Sequence, residues 1–155
     1  MTYAPCTRSE HDELFPIMAA LEALTGELAC THISDAKLSE IQQLHNSMQA
    51  HFEAGRPAES FRSNQDIHQT IVAAAKNTTL EDDYRSLSAR LRRRRFKAEM
   101  SADRWAASIA EQDEILDVLQ HRDGPRLSQV LRNHLSGKSN TIADWLVDAP
   151  MKETR

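Results

Sequence analysis

Glycine and proline are scarce, four and five among 155 residues. So few chain breakers, with Leu, Ala, Glu, Gln and Arg abundant, argue for an all-α domain. Aromatic residues make up 5%, which leaves no stacking platform for single-stranded nucleic acid. The two cysteines, Cys6 and Cys30, have no motif spacing and suggest no disulfide framework. The opening "MTYAPCTRSEHDELF" lacks the basic region and apolar run of a secretory signal. No stretch approaches the roughly 20 apolar residues expected of a membrane span. The formal charge of −4 makes the chain as a whole a poor DNA binder, since phosphate neutralisation needs a positive face, and leaves room only for a local basic patch. These absences predict a reduced cytoplasmic protein that does not grip DNA or a membrane by itself.

What is present is ordinary for a folded domain: 40% hydrophobic and 27% charged residues. The length suffices for one domain with a core. Apolar periodicity predicts six helices. The first runs from about Ser9 to Cys30, with Phe15, Met18, Leu21, Leu24 and Leu28 on its apolar face and Pro16 in its first turns. Ser34 is expected to cap the second, which stops at Gly55. The third follows Pro57 and ends near Asn77. Thr78 and Glu81 match a capping box for the fourth, whose inward row is Leu80, Tyr84, Leu87 and Leu91. Ser101 is a candidate cap for the fifth and Asp123 for the sixth. Short connections imply an antiparallel bundle over residues 9–147, between tails at 1–8 and 148–155.

Three of these helices carry polar residues on the face that should be apolar. In "AESFRSNQDIHQTIVAAAKN", one face reads Phe61, Asn64, His68, Val72, Ala75. In the fifth helix Gln112 interrupts Trp105, Ile109, Ile115/Leu116 and Leu119. In the sixth, His134 interrupts Leu127, Val130/Leu131 and Leu135. One such residue alone is more often a satisfied core side chain than a ligand. Four together cost least if they meet one another, water or a ligand, since each unpartnered group costs about 1–3 kcal/mol. Convergence on a central polar cavity is therefore expected. Imidazoles there suit zinc, nickel, iron or copper, although amides are weaker ligands than carboxylates.

The segments "LFPIMAALEALTGELA", "NQDIHQTIVAAAKNTTL" and "AEQDEILDVLQHRDGPRLSQVLRNHL" resemble, in that order, helices of the FCD domain. That is the C-terminal effector-binding domain of FadR-type GntR transcription regulators. The similarity runs from about Glu13 to Leu135, and the ordered set carries it rather than any one motif. The resemblance implies a bundle of six or seven helices that pairs into a homodimer and holds a small carboxylate effector. In many members a divalent metal, zinc or nickel, is bound by one Asp or Asn and three His. Carried over by position, Asn64 falls on the acidic or amide ligand, His68 on the first His and His134 on the last. Gln112 stands where the middle His is expected, so the metal set reduces to Asn64, His68 and His134. The Arg often found near Met18 and Ala19 in other members is also missing. The alternative is a ligand held by hydrogen bonds alone, as in metal-free members. Full regulators reach DNA through a preceding winged helix-turn-helix, expected to be absent from this chain.

"ARLRRRRFK" holds five Arg: Arg90, Arg92, Arg93, Arg94 and Arg95. Most of this run reads as a solvated helix face. Arg94 and Arg95 flank the inward row, and a guanidinium there suits bidentate pairing with an effector carboxylate. They join Asn64, His68, Gln112 and His134 as candidate ligand-binding residues. The expected function is a ligand-sensing and dimerisation domain rather than an enzyme. No nucleophile motif or Gly-rich phosphate loop is evident. A small stand-alone enzyme using His68 and His134 for acid–base or metal-assisted chemistry is the alternative, and a pure dimerisation module the third reading.

Overall fold

The computed structural model describes residues 8–98 and 102–148, with side chains over 9–91 and 102–136. Six α-helices follow in order: α1 Arg8–His32, α2 Asp35–Glu53, α3 Pro57–Ala74, α4 Thr78–Ala98, α5 Ala102–Gln120 and α6 Gly124–Asp148. No strand occurs among the described residues. The all-α expectation therefore holds.

Local chemistry explains the helix ends. Ser34 caps α2, its hydroxyl accepting from the Lys37 N–H at 3.2 Å. Gly55, beyond its end, has φ +71°, which glycine adopts without a Cβ penalty. Pro57 begins α3, where its missing N–H is harmless. Asp123 caps α6 by accepting from the Arg126 N–H at 3.1 Å. For α4 the cap is Asn77, whose Oδ1 accepts from the Leu80 N–H at 3.0 Å. Thr78 is thus the first helical residue, and the predicted capping box is out of register by one. Ser101 lies outside the described residues. Arg122, at the α5–α6 turn, donates to the Cys30 and Ile33 carbonyls at 3.3 and 2.7 Å. That covers carbonyls which the end of α1 leaves without helical partners.

α1 departs from expectation in three ways. Pro16 lies well inside the helix rather than in its first turns, because α1 already begins at Arg8. Its ring removes the hydrogen bond to the Asp12 carbonyl. Leu24 is 42% exposed, and the inward face instead reads Phe15, Met18, Glu22, Thr25, Ala29. The reason is packing: α1 lies chiefly on α6 but also touches α3, α4 and α5, so more than one stripe of it is covered. Finally, its Ser9–His32 segment is long and apolar enough by composition to cross a membrane, contrary to the expectation above. Half of the most apolar window is buried in the bundle, which accounts for that character.

The core has two apolar clusters. One joins the end of α1 to α2, α3, α5 and α6 through residues such as Ala29, Ile41, Ile67, Ile115 and Leu131. The other joins α1, α3, α4 and α6 through Met18, Val72, Tyr84, Leu91 and Leu135. Each fully buried Ile or Leu stabilises the fold by about 1.5–3 kcal/mol. His134 falls between Leu131 of the first cluster and Leu135 of the second. His68 falls between Ile67 and Val72 in the same way. The two histidines therefore lie where the two clusters adjoin.

α1 and α6 approach closely at Gly26. A Cβ there would lie 3.0 Å from Leu131 Cδ1 and 3.2 Å from the Leu127 backbone. Gly26→Val is expected to destabilise the domain by about 1–3 kcal/mol through overpacking, read as a lower urea midpoint. An unchanged midpoint would mean that the two helices separate without cost.

Candidate functional site

α3 turns Asn64 and His68 inward because they are four residues apart on the row that also buries Phe61, Val72 and Ala75. α5 brings Gln112 to them. Its Nε2 donates to Asn64 Oδ1 at 2.5 Å and to His68 Nε2 at 2.9 Å. His68 Nε2 must then carry the lone pair, which puts the ring proton on Nδ1. α6 supplies His134, whose ring stacks on His68 with centroids 5.5 Å apart and planes 14° from parallel. The structure thus brings together Asn64, His68, Gln112 and His134, all buried. The side chains of Arg94 and Arg95 lie outside the described residues.

The chain of contacts continues to residues that periodicity did not single out. His134 Nδ1–H donates to Glu111 Oε2 at 2.5 Å, and Arg104 donates to Glu111 Oε1 at 3.3 Å. Glu111 is half-buried, so the network runs from the core toward the surface. Its signal was adjacency: Glu111 precedes Gln112 and stands seven residues after Arg104, two turns along one face. Glu22 was missed too. It is buried on α1 and accepts from the Tyr84 hydroxyl at 3.0 Å. Glu22 interrupts the row Met18, Thr25, Ala29 as His68 interrupts its own, but only once the inward face of α1 is known.

On each of the two amides one polar atom has no hydrogen-bond partner: Asn64 Nδ2 and Gln112 Oε1. Ser108 Oγ, one turn before Gln112, is a third. Two surface clefts, of about 440 and 290 Å³, open between helices, and neither is lined by the four inward residues. Cys30 offers no nucleophile here. Burial pushes its thiol up, Asp123 adds to that, and Arg122 only partly opposes it.

These residues do not fit a divalent metal. The donor set is two imidazoles and two neutral amides, poorer than carboxylate and a third imidazole. The Gln112 N–H also occupies the His68 lone pair that an ion would need. The nearby carboxylate of Glu111 is turned to His134 and Arg104. No group of three or more His, Cys, Asp or Glu able to hold a metal occurs among the described residues.

The FCD domain model matches residues 13–137. This chain belongs to the FCD family. FCD membership makes it a regulatory effector-binding domain rather than an enzyme, so the alternative of acid–base chemistry at His68 and His134 falls away. Some FCD domains bind metals. No curated protein matches the sequence. Among solved structures, E. coli McbR/YncC is similar at 18% identity, with a TM-score of 0.78, over 94% of this chain and 72% of that one. At that identity the likeness concerns the fold, which is the six-helix FCD arrangement described above.

Tyr84→Phe keeps the ring and removes only the hydroxyl from the buried Glu22. The expected result is a loss of about 1–3 kcal/mol in denaturant unfolding, the usual cost of removing a partner from a buried group. No loss would show that Glu22 does not rely on Tyr84.

Proposed function

We propose that this chain is the ligand-sensing and dimerisation domain of a GntR/FadR-type transcriptional regulator. Residues 9–147 act as one unit, and a small organic acid binds within the bundle at Asn64, His68, Gln112 and His134. The observation that carries this is the convergence of four buried polar side chains from three helices, with two amide atoms left unpartnered. Folded cores satisfy nearly all such groups, so an unpartnered pair at one place points to an occupant. Arg94 and Arg95 are the candidates for pairing with the effector's carboxylate. A ligand favouring one packing of α3, α5 and α6 would shift the populations of the bundle's states. Operator contact belongs to a winged helix-turn-helix, and the regulator works in the cytoplasm with DNA.

The effector is held by hydrogen bonds, without zinc or nickel, because the donor set suits neither. Calorimetric titration with a panel of small carboxylic acids should show saturable binding. His134→Ala should weaken it by roughly five- to 150-fold, the equivalent of about 1–3 kcal/mol. Added zinc or nickel should leave the affinity unchanged. A panel without a single binder sinks this reading, and a metal requirement overturns its hydrogen-bonding form.

Dimerisation is supported by α1, where Ile17 and Leu24 are 51% and 42% exposed and lie seven residues apart on one stripe. A native mass spectrum of the chain should give a dimer, and the double variant Ile17→Glu, Leu24→Glu a monomer. A monomeric parent chain would remove the dimerisation half of the proposal.

A further inference from the structure

Building on the sensor reading, we infer that Asp113 is a positioning residue for the polar layer. Paired with His45 of α2, it fixes the rotation of α5 about its own axis and so the aim of Gln112. Successive residues of an α-helix stand about 100° apart. Glu111, Gln112 and Asp113 therefore fan out from α5 and reach three different helices. Glu111 accepts from His134 of α6, and Gln112 donates to Asn64 and His68 of α3. Asp113 Oδ1 accepts from His45 Nε2–H of α2 at 2.5 Å. A turn of α5 by about 20° would carry the Gln112 amide, about 5–6 Å from the axis, through about 2 Å. Hydrogen bonds tolerate far less. The residues on either side of Gln112 thus brace it against that turn.

At the level of Gln112, His45–Asp113 is the hydrogen bond that joins α2 to α5. Toward the start of α5, Trp105 Nε1–H donates to Ser60 Oγ, which donates to the Met48 carbonyl of α2, both at 2.8 Å. Near its end, Gln120 donates to Gln42 through a long, exposed bond of 3.4 Å. Both lie about two turns from Gln112. Between them Ile41, Ile115 and Leu116 add apolar packing, which prefers no particular angle. His45 has no alternative to Asp113. Its side chain is 4% exposed, and its Nδ1 has no hydrogen-bond partner among the described residues. Asp113 itself is 67% exposed. The buried polar layer is thus aimed by a bond whose acceptor stands in water.

The test is nitrogen NMR of the histidine rings in the ligand-free chain at about pH 8, above the ordinary histidine range. In the unaltered chain Gln112 holds His68 in one tautomer. Asp113→Ala removes the acceptor of His45 and no partner of His68. In that variant the minor tautomer of His68 is expected to rise at least about fivefold, the lower end of ordinary coupling between sites. Asp113→Asn keeps an acceptor oxygen and should restore most of the unaltered ratio. Asp117→Ala removes an acid one turn on that is 66% exposed and pairs with His121 of the same helix, and should leave the ratio unchanged. Should Asp113→Ala not fold, His45→Phe removes the same bond while keeping an aromatic ring in the core, and the same rise is expected there. An unchanged His68 ratio overturns the inference, whether or not the His45 signal moves. An equal rise in Asp117→Ala overturns it too, since loss of surface charge would then suffice. Neither result touches the sensor reading, which fails instead when no carboxylic acid binds.

Discussion

Gln112 Nε2 carries two hydrogens, and both go to α3, one to Asn64 and one to His68. That choice fixes the tautomer of His68 and the orientation of its ring. The ring then presents a face on which His134 of α6 stacks. Glu111, the neighbour of Gln112 on α5, holds His134 from its other side. Three helices are thus set in register by one amide and two imidazoles. Inside a low-dielectric core such a network is strong when satisfied and costly when broken.

The apolar residues do different work. Two clusters, one on α1, α2, α3, α5 and α6 and the other on α1, α3, α4 and α6, supply the bulk of the driving force. They are non-directional and tolerate exchange of one hydrocarbon for another. The polar residues between them are directional. Glu22 with Tyr84 adds a hydrogen bond between α1 and α4. A bundle with apolar clusters on either side of a polar division can keep its fold while the polar layer changes partners, which is the physical requirement for a sensor.

This also explains how an FCD domain can carry amides at positions 64 and 112 without losing its architecture. The side chains at 64 and 112 are amides, and no apolar row depends on whether those positions hold an amide, a carboxylate or an imidazole. The likeness to E. coli McbR/YncC, at only 18% identity, accords with a fold carried by apolar periodicity rather than by particular residues.

Much was legible before any coordinates. A period of 3.6 residues places Asn64, His68, Gln112 and His134 inward whatever surrounds them, because each sits among flanking apolar residues that can only face a core. Helix number and most caps follow from similarly local rules. The failures lie where a local rule was asked a global question. Which side of α1 is buried depends on its four neighbouring helices, so Leu24 was misjudged and Glu22 overlooked. Glu111 was not singled out, because its role appears only when α6 brings His134 beside it. The cap of α4 moved from Thr78 to Asn77 because either side chain suits that role and only the path of the α3–α4 turn selects one. Periodicity thus establishes which residues face inward, since that is a property of one helix. Which of them meet, in what tautomer, and which amide atoms go unserved are properties of three helices together, and only their packing decides them.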